Sequence, residues 1–110
     1  MPEMHFTIQW PSGAPERCYS PSYIIEEYLE VGAEYSVAEF LSRTRSALTV
    51  ASERVQQRYG FACSSALDQL AALEQASEQL SAVERAGSVK VVSFEKHPPR
   101  DARAQREAPK

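Results

Sequence analysis

The sequence has no apolar run that approaches the roughly 20 residues needed to cross a bilayer. Its first residues, MPEMHFTIQW, begin with an acid rather than a positive segment, and they lack the apolar stretch of a signal peptide. These two absences argue against membrane insertion and secretion, so we expect a cytoplasmic protein with no membrane partner.

Cysteine and histidine are scarce, with two of each in 110 residues. Cys18 and Cys63 are too few for a disulfide framework, and in the cytoplasm we expect both thiols to be reduced. Neither a C-x-x-C nor an H-x-x-x-H spacing is present, so we expect no bound metal and no other cofactor.

Clustered positive charge is also missing: the net charge is −3, and the basic residues are dispersed among acids. Nucleic-acid binding needs clustered Lys and Arg to neutralise phosphates, so the charge argues against it. Four arginines do share one segment: Arg43, Arg45, Arg54 and Arg58. An anion-binding patch is one interpretation, but Glu39 and Glu53 lie among them and favour a solvated helix surface.

Strands are predicted at both ends of the chain. Phe6, Ile8 and Trp10 alternate with polar residues, which is typical of a half-buried strand near residues 4–10. The segment PSGAP (11–15) predicts a hairpin turn, and ERCYS (16–20) a returning strand. The valine-rich SVKVVSF (88–94) predicts a third strand.

Helices are predicted between the strands. Ser20 as a cap and Pro21 at the first helical position indicate a short helix within 22–31, although the Tyr- and Ile-rich composition leaves a strand open. Ser36 and Glu39 form a capping-box pattern that predicts a long helix over 37–59, ended by Gly60. A second helix should begin at residue 64 or 65 and run to about 85.

The pattern predicts an α+β fold in which a small antiparallel sheet, an N-terminal hairpin plus a C-terminal strand, packs on an antiparallel two-helix hairpin (36–59 and 64–86). Residues 1–96 should form a single small domain, and 97–110, with three prolines and mixed charge, a disordered tail. The predicted core consists of Phe6, Ile8, Trp10, Phe40, Leu48, Val55, Leu67 and Leu70.

Cys63 is the candidate nucleophile, because it lies where the second helix should begin. A helix N-terminus stabilises a thiolate and lowers the pKa of a cysteine. Catalysis also needs a base, and neither His5, on the polar side of a strand, nor His97, at the edge of the tail, can be paired with Cys63 from sequence. The alternative is a small buried thiol that packs beneath the joint between the helices.

An acidic stretch with interleaved tyrosines is the candidate docking site for a protein partner. It comprises Tyr23, Glu26, Glu27, Tyr28 and Glu30. Tyrosine is enriched at interfaces, and the carboxylates would attract a basic partner. The alternative is a solvated helix face whose tyrosines belong to the core.

Three stretches carry a family resemblance: MPEMHFTIQWPSG, ERCYSPS and ALTVASERVQQRYGFACSSALDQL. They resemble a small bacterial family of nitrogen starvation response proteins. The resemblance covers roughly residues 1–75, and YGFACSSALDQL (59–70) is its most specific part. It implies genes clustered around a nitrilase, in a setting of nitrogen limitation and cyanide or nitrile assimilation, and it transfers no catalytic residue.

Three functional hypotheses follow. The first is a non-enzymatic accessory protein of a nitrogen-starvation response, whose protein partner would be an enzyme of the same pathway. The second is a thiol-dependent enzyme or carrier that uses Cys63. The third is a nitrogen-responsive regulator that binds nucleic acid. The sequence leaves a homo-oligomer open.

Overall fold

The computed structural model describes residues 3–60 and 64–98 of the chain. Within this part the strands are β1 (Glu3–Gln9), β2 (Pro15–Ser20), β3 (Glu34–Ser36) and β4 (Ser88–His97). The helices are α1 (Ile25–Tyr28), α2 (Val37–Tyr59), α3 (Ser64–Glu78) and α4 (Ala82–Arg85). The predicted α+β class is confirmed.

The strands form one antiparallel sheet in the order β2-β1-β4-β3. The predicted hairpin turns through Gly13, whose φ of 97° suits glycine and whose N–H donates to the Trp10 carbonyl at 2.8 Å. The alternation along β1 is confirmed, since Met4, Phe6 and Ile8 are fully buried and their neighbours are not. β3 is a fourth strand that the sequence reading did not predict.

A β-bulge lies where β1 pairs with β4. Thr7 pairs with Ser93 while Ile8 pairs with Val91, so Val92 is the extra residue of β4. The shift changes which residues face inward beyond it. Both Val91 and Phe94 therefore pack towards the core, although an uninterrupted strand would place them on opposite faces.

The sequence leaves the segment after β2 open as helix or strand, and in the structure it is helical. Its predicted start is wrong. Ser20 does not cap it: this buried hydroxyl donates to the Ser22 carbonyl at 2.7 Å and accepts from the Ser22 N–H. Because that local turn uses the hydroxyl, the helix begins only after Ile24 and makes a single turn, Ile25–Tyr28.

The long helix α2 has the predicted bounds. Ser36 Oγ accepts from the Glu39 N–H at 3.1 Å, and Gly60 ends the helix in the left-handed conformation with φ of 86°. The Glu39 carboxylate pairs with Arg43 at 2.7 Å, so only half of the predicted capping box forms. The face of α2 that includes Phe40 and Leu48 is fully buried against the sheet.

The second predicted helix is broken in two. α3 ends at Glu78, and Ser81 starts α4 with a complete capping box: its hydroxyl accepts from the Glu84 N–H, and the Glu84 carboxylate accepts from the Ser81 N–H. These two hydrogen bonds favour the start of a new helix at this point over the continuation of α3. Each satisfies a backbone N–H that in a continuous helix would donate to a carbonyl of the preceding turn.

Most of the predicted core is buried, with two errors in side-chain placement. Leu67, predicted to be core, is 46% exposed. α3 instead packs through a narrow face that includes Ala66 and Leu73, and Leu70 is only half-buried. Val83, in α4, is also exposed, at 84%.

The C-terminal strand extends through His97, which pairs with Glu3. Residues 99–110, most of the predicted tail, lie outside the described residues. The division of the chain into a domain over 1–96 and a tail over 97–110 stays a prediction.

Candidate functional site

The residues of the predicted docking site lie together in and around α1. The carboxylates of Glu26, Glu27 and Glu30 are on exposed residues, whereas Tyr23 and Tyr28 are half-buried and pack against the core. We call Glu26, Glu27, Tyr28 and Glu30 the acidic face. They line a depression of about 250 Å³ together with Tyr35 and Arg43.

Arg43, in the second turn of α2, fixes the backbone of the acidic face. Its Nη1 donates to the Tyr28 carbonyl at 3.0 Å, and its Nε donates to Glu39 at 2.7 Å. The guanidinium also lies over the Tyr35 ring, 4.8 Å from the centroid. Tyr35 in turn accepts from the Glu30 N–H at 3.1 Å through its hydroxyl oxygen. A one-turn helix is therefore held by side chains of its neighbours.

Lys96 contacts the acidic face from the end of β4. Its ammonium lies 2.9 Å from a Glu26 carboxylate oxygen and 5.3 Å from the centroid of the Tyr23 ring. This ion pair neutralises one carboxylate of the face. For Glu27 and Glu30, no salt bridge is formed within the described part of the chain.

Of the two cysteines, the structure describes Cys18 and not Cys63. Cys63, the candidate nucleophile, lies outside the described residues, so its role stays a prediction. Cys18 is fully buried on β2, and burial raises the pKa of its thiol far above the ordinary value. A thiol that stays protonated at physiological pH is a poor nucleophile, so Cys18 acts as a small core residue.

Three of the four arginines along α2 donate hydrogen bonds to residues outside the helix, and the fourth, Arg58, lies over the Tyr59 ring, 6.0 Å from its centroid. Arg43 supports the acidic face, Arg45 pairs with Glu74 of α3 at 2.7 Å, and Arg54 donates to the Ser22 hydroxyl at 3.2 Å. A phosphate-binding patch would need these guanidinium groups to face outward together. Their contacts instead tie α2 to neighbouring parts of the fold, which argues against a patch formed by these arginines.

The chain's two histidines meet, which the sequence reading missed. His5 Nδ1 lies 3.0 Å from His97 Nε2, although the residues are 92 positions apart. Both lie on the sheet surface opposite the core, at the start of β1 and the end of β4. Only the register of these strands brings them together, since Glu3 pairs with His97 and His5 with Glu95.

Other polar groups surround this histidine pair. The Tyr19 ring packs edge-on against His5, with centroids 5.6 Å apart, and its hydroxyl donates to Glu3 at 3.0 Å. Burial lowers the pKa of His5 below its ordinary value, and the nearby charge of Arg17 acts in the same direction. Arg17 also holds Glu95 in an exposed ion pair at 3.0 Å.

A shallow polar cleft opens beside His5. It has a volume of about 450 Å³ and is lined by His5, Tyr19, Ser65, Asp68, Gln69 and Ala72. Gln69 anchors α3 to the sheet, because its side-chain oxygen accepts from the Tyr19 N–H at 2.9 Å. The cleft is therefore framed by β1, β2 and the first turns of α3.

Among residues 3–60 and 64–98, no group of three or more His, Cys, Asp or Glu side chains is placed to hold a metal ion. None of the helices in that same part of the chain has both the length and the apolar character to span a membrane.

Comparison with known proteins agrees with the resemblance read from the sequence. A family model described as "Nitrogen starvation-induced protein NitG" matches residues 5–94, which include every strand and helix except the ends of β1 and β4. No curated protein and no solved structure is significantly similar to the chain. The extent of the family match is enough to assign the chain: it belongs to the NitG family of nitrogen starvation-induced proteins.

Proposed function

We propose that this protein is a non-enzymatic accessory protein of the nitrogen-starvation response, which acts by docking on a protein partner through its acidic face. Family membership supports the nitrogen-starvation setting. The resemblance to proteins encoded around a nitrilase supports a more specific partner: an enzyme of a cyanide- or nitrile-handling pathway in the cytoplasm.

The observation that carries the proposal is that the acidic face is exposed at its carboxylates and fixed at its backbone. Glu27 and Glu30 are exposed acids on either side of the half-buried Tyr28, and Arg43 holds the carbonyl of that tyrosine. A surface that is ordered before binding loses less conformational entropy on association than a flexible one.

The charge of the face indicates the chemistry of the partner. Glu27 and Glu30 each place a negative charge at the surface, and Lys96 offsets only the charge of Glu26. A basic surface patch on the partner would complement them, with Tyr28 as a partly apolar centre. Such charges raise the rate of encounter and select the partner more than they add affinity.

The test is co-purification from nitrogen-starved cells, with the tagged protein as bait. We expect a pathway enzyme, identified by mass spectrometry, to be recovered with the unaltered protein. The double variant Glu27→Gln/Glu30→Gln should recover much less of it. The matched control is Glu53→Gln/Glu78→Gln, which removes two charges that are also exposed, one on α2 and one on α3.

Two results would count against the proposal. Recovery of the protein alone, with no pathway enzyme, would remove the support for an accessory role. Equal loss of the enzyme in both double variants would place the effect in the overall charge of the protein and not in the acidic face.

A further inference from the structure

We propose that His5 and His97 form a two-imidazole binding site for a divalent first-row transition-metal ion, a role separate from the docking function. The chain holds only two histidines, and the fold brings their ring nitrogens to 3.0 Å from each other across β1 and β4. Imidazole nitrogen is a common ligand for zinc, copper and nickel.

The distance between the two nitrogens matches that of neighbouring ligands on one ion. With metal–nitrogen bonds of about 2.0–2.1 Å, a separation of 3.0 Å corresponds to an angle of roughly 90–97° at the metal. In the hydrogen-bonded arrangement the ring centroids are 5.1 Å apart and the two nitrogens face each other, so the rings must turn before one ion can bind both. The affinity of imidazole sites for divalent ions follows the Irving–Williams order, which places Cu²⁺ above Ni²⁺ and Zn²⁺.

Binding requires a proton to move but none to be lost. When both rings are neutral, one donates its N–H to the other across the 3.0 Å contact. A metal ion needs the lone pairs of both nitrogens, so the donating ring must carry its proton on its other nitrogen instead. This change of tautomer leaves the net charge of the two rings unaltered.

The groups around the pair leave the remaining coordination positions to water. Glu3 accepts from the Tyr19 hydroxyl, and Glu95 is held by Arg17, so both nearby carboxylates already have partners. The polar cleft of about 450 Å³ beside His5 gives solvent access to the site. Two protein ligands plus water imply an exchangeable ion.

A bound ion would join the two ends of the described chain. β1 is the first strand and β4 the last, and they are neighbours at the centre of the sheet. Because the unfolded chain does not hold the two histidines together, an ion that binds both stabilises the folded state in proportion to the logarithm of its concentration.

The test is thermal unfolding in the presence of CuCl₂, NiCl₂ or ZnCl₂, on full-length protein from which any histidine tag has been removed. Cys63→Ser serves as the parent, because a free thiol would compete for the metal. At a tenfold excess over the dissociation constant, we expect Cu²⁺ or Ni²⁺ to raise the Tm of the parent by roughly 5–10 °C.

Three variants of this parent assign the shift to the pair. His5→Gln and His97→Gln should each abolish it. His5→Gln combined with Gln57→His keeps two histidines but separates them, since Gln57 is exposed on α2, and it should also show no shift. Electron paramagnetic resonance of the Cu²⁺-loaded parent should show splitting from two nitrogens, which either single variant loses.

Three results would overturn the proposal. The first is the absence of a Tm shift in the parent with either Cu²⁺ or Ni²⁺. The second is an equal shift in the variant with separated histidines, which would indicate metal binding unrelated to the pair. The third is a larger shift with Zn²⁺ than with Cu²⁺, which would contradict the order of affinity expected for two imidazole ligands.

Discussion

Replacing Arg43 by lysine should loosen the support of the acidic face while keeping the charge of every residue in it. The arginine bonds the Tyr28 carbonyl and Glu39 with different nitrogens of one rigid plane, and that plane lies over the Tyr35 ring. Lysine keeps the positive charge but has a single ammonium group, so it cannot reproduce these contacts together.

The contacts of Arg43 give the expected size of the effect. A hydrogen bond from a charged donor contributes about 1.5–3 kcal/mol, and an exposed cation–π contact about 0.5–1 kcal/mol. The pair with Glu39 contributes little, since both side chains are 41–51% exposed. Lysine retains part of each interaction, so we expect Arg43→Lys to lower the free energy of unfolding by about 1–2 kcal/mol.

Urea unfolding followed by circular dichroism measures this loss, with Arg45→Lys as the matched control. Arg45 lies on the same helix, but its hydrogen bonds and ion pair within the described residues go to the half-exposed Glu74 alone, so its replacement should cost less than about 0.5 kcal/mol. Equal shifts of the two unfolding midpoints would refute the supporting role of Arg43. Arg43→Lys should also weaken partner binding, although it alters no carboxylate of the acidic face.

Two core residues give further predictions. Thr44→Val should raise the free energy of unfolding by about 1 kcal/mol, because the buried Thr44 hydroxyl has no hydrogen-bond partner in the described part of the chain. A loss of stability in urea would show that the hydroxyl is satisfied. For Cys18, burial keeps the folded thiol protonated, whereas the unfolded thiol ionises above about pH 8.5. Unfolding therefore releases a proton at high pH. The free energy of unfolding then falls as pH rises, by at most about 1.4 kcal/mol per pH unit. Cys18→Ala should therefore lose less stability than the parent between pH 8 and pH 10, and parallel urea-derived curves would contradict this.

Local sequence signals were enough to predict α2. Its start depends on a serine hydroxyl three residues from its target N–H, and its end on a glycine that adopts a positive φ. Both are short-range effects that the neighbouring residues determine on their own. The break between α3 and α4 has a similar local cause, since Ser81 and Glu84 repeat the spacing of Ser36 and Glu39, but the prediction runs a single helix through them.

The histidine pair could not be predicted in the same way. Its formation depends on the register between β1 and β4, two strands separated by most of the chain. It also depends on the β-bulge, because the register differs on its two sides. The predicted start of α1 is wrong for a different reason. The Ser20 hydroxyl could either cap a helix or bond within a turn, and only the packed structure shows that it bonds within the turn. Spacing along the sequence does not encode either choice.

The docking proposal is tested most directly by measuring the affinity of the purified protein for the enzyme recovered by co-purification. Glu27→Gln/Glu30→Gln should weaken binding by about 5- to 30-fold at low salt, since each exposed charge pair contributes up to about 1 kcal/mol. The difference from Glu53→Gln/Glu78→Gln should shrink at high salt, because exposed charges are screened. Equal affinity of the two double variants at low salt would contradict docking through the acidic face.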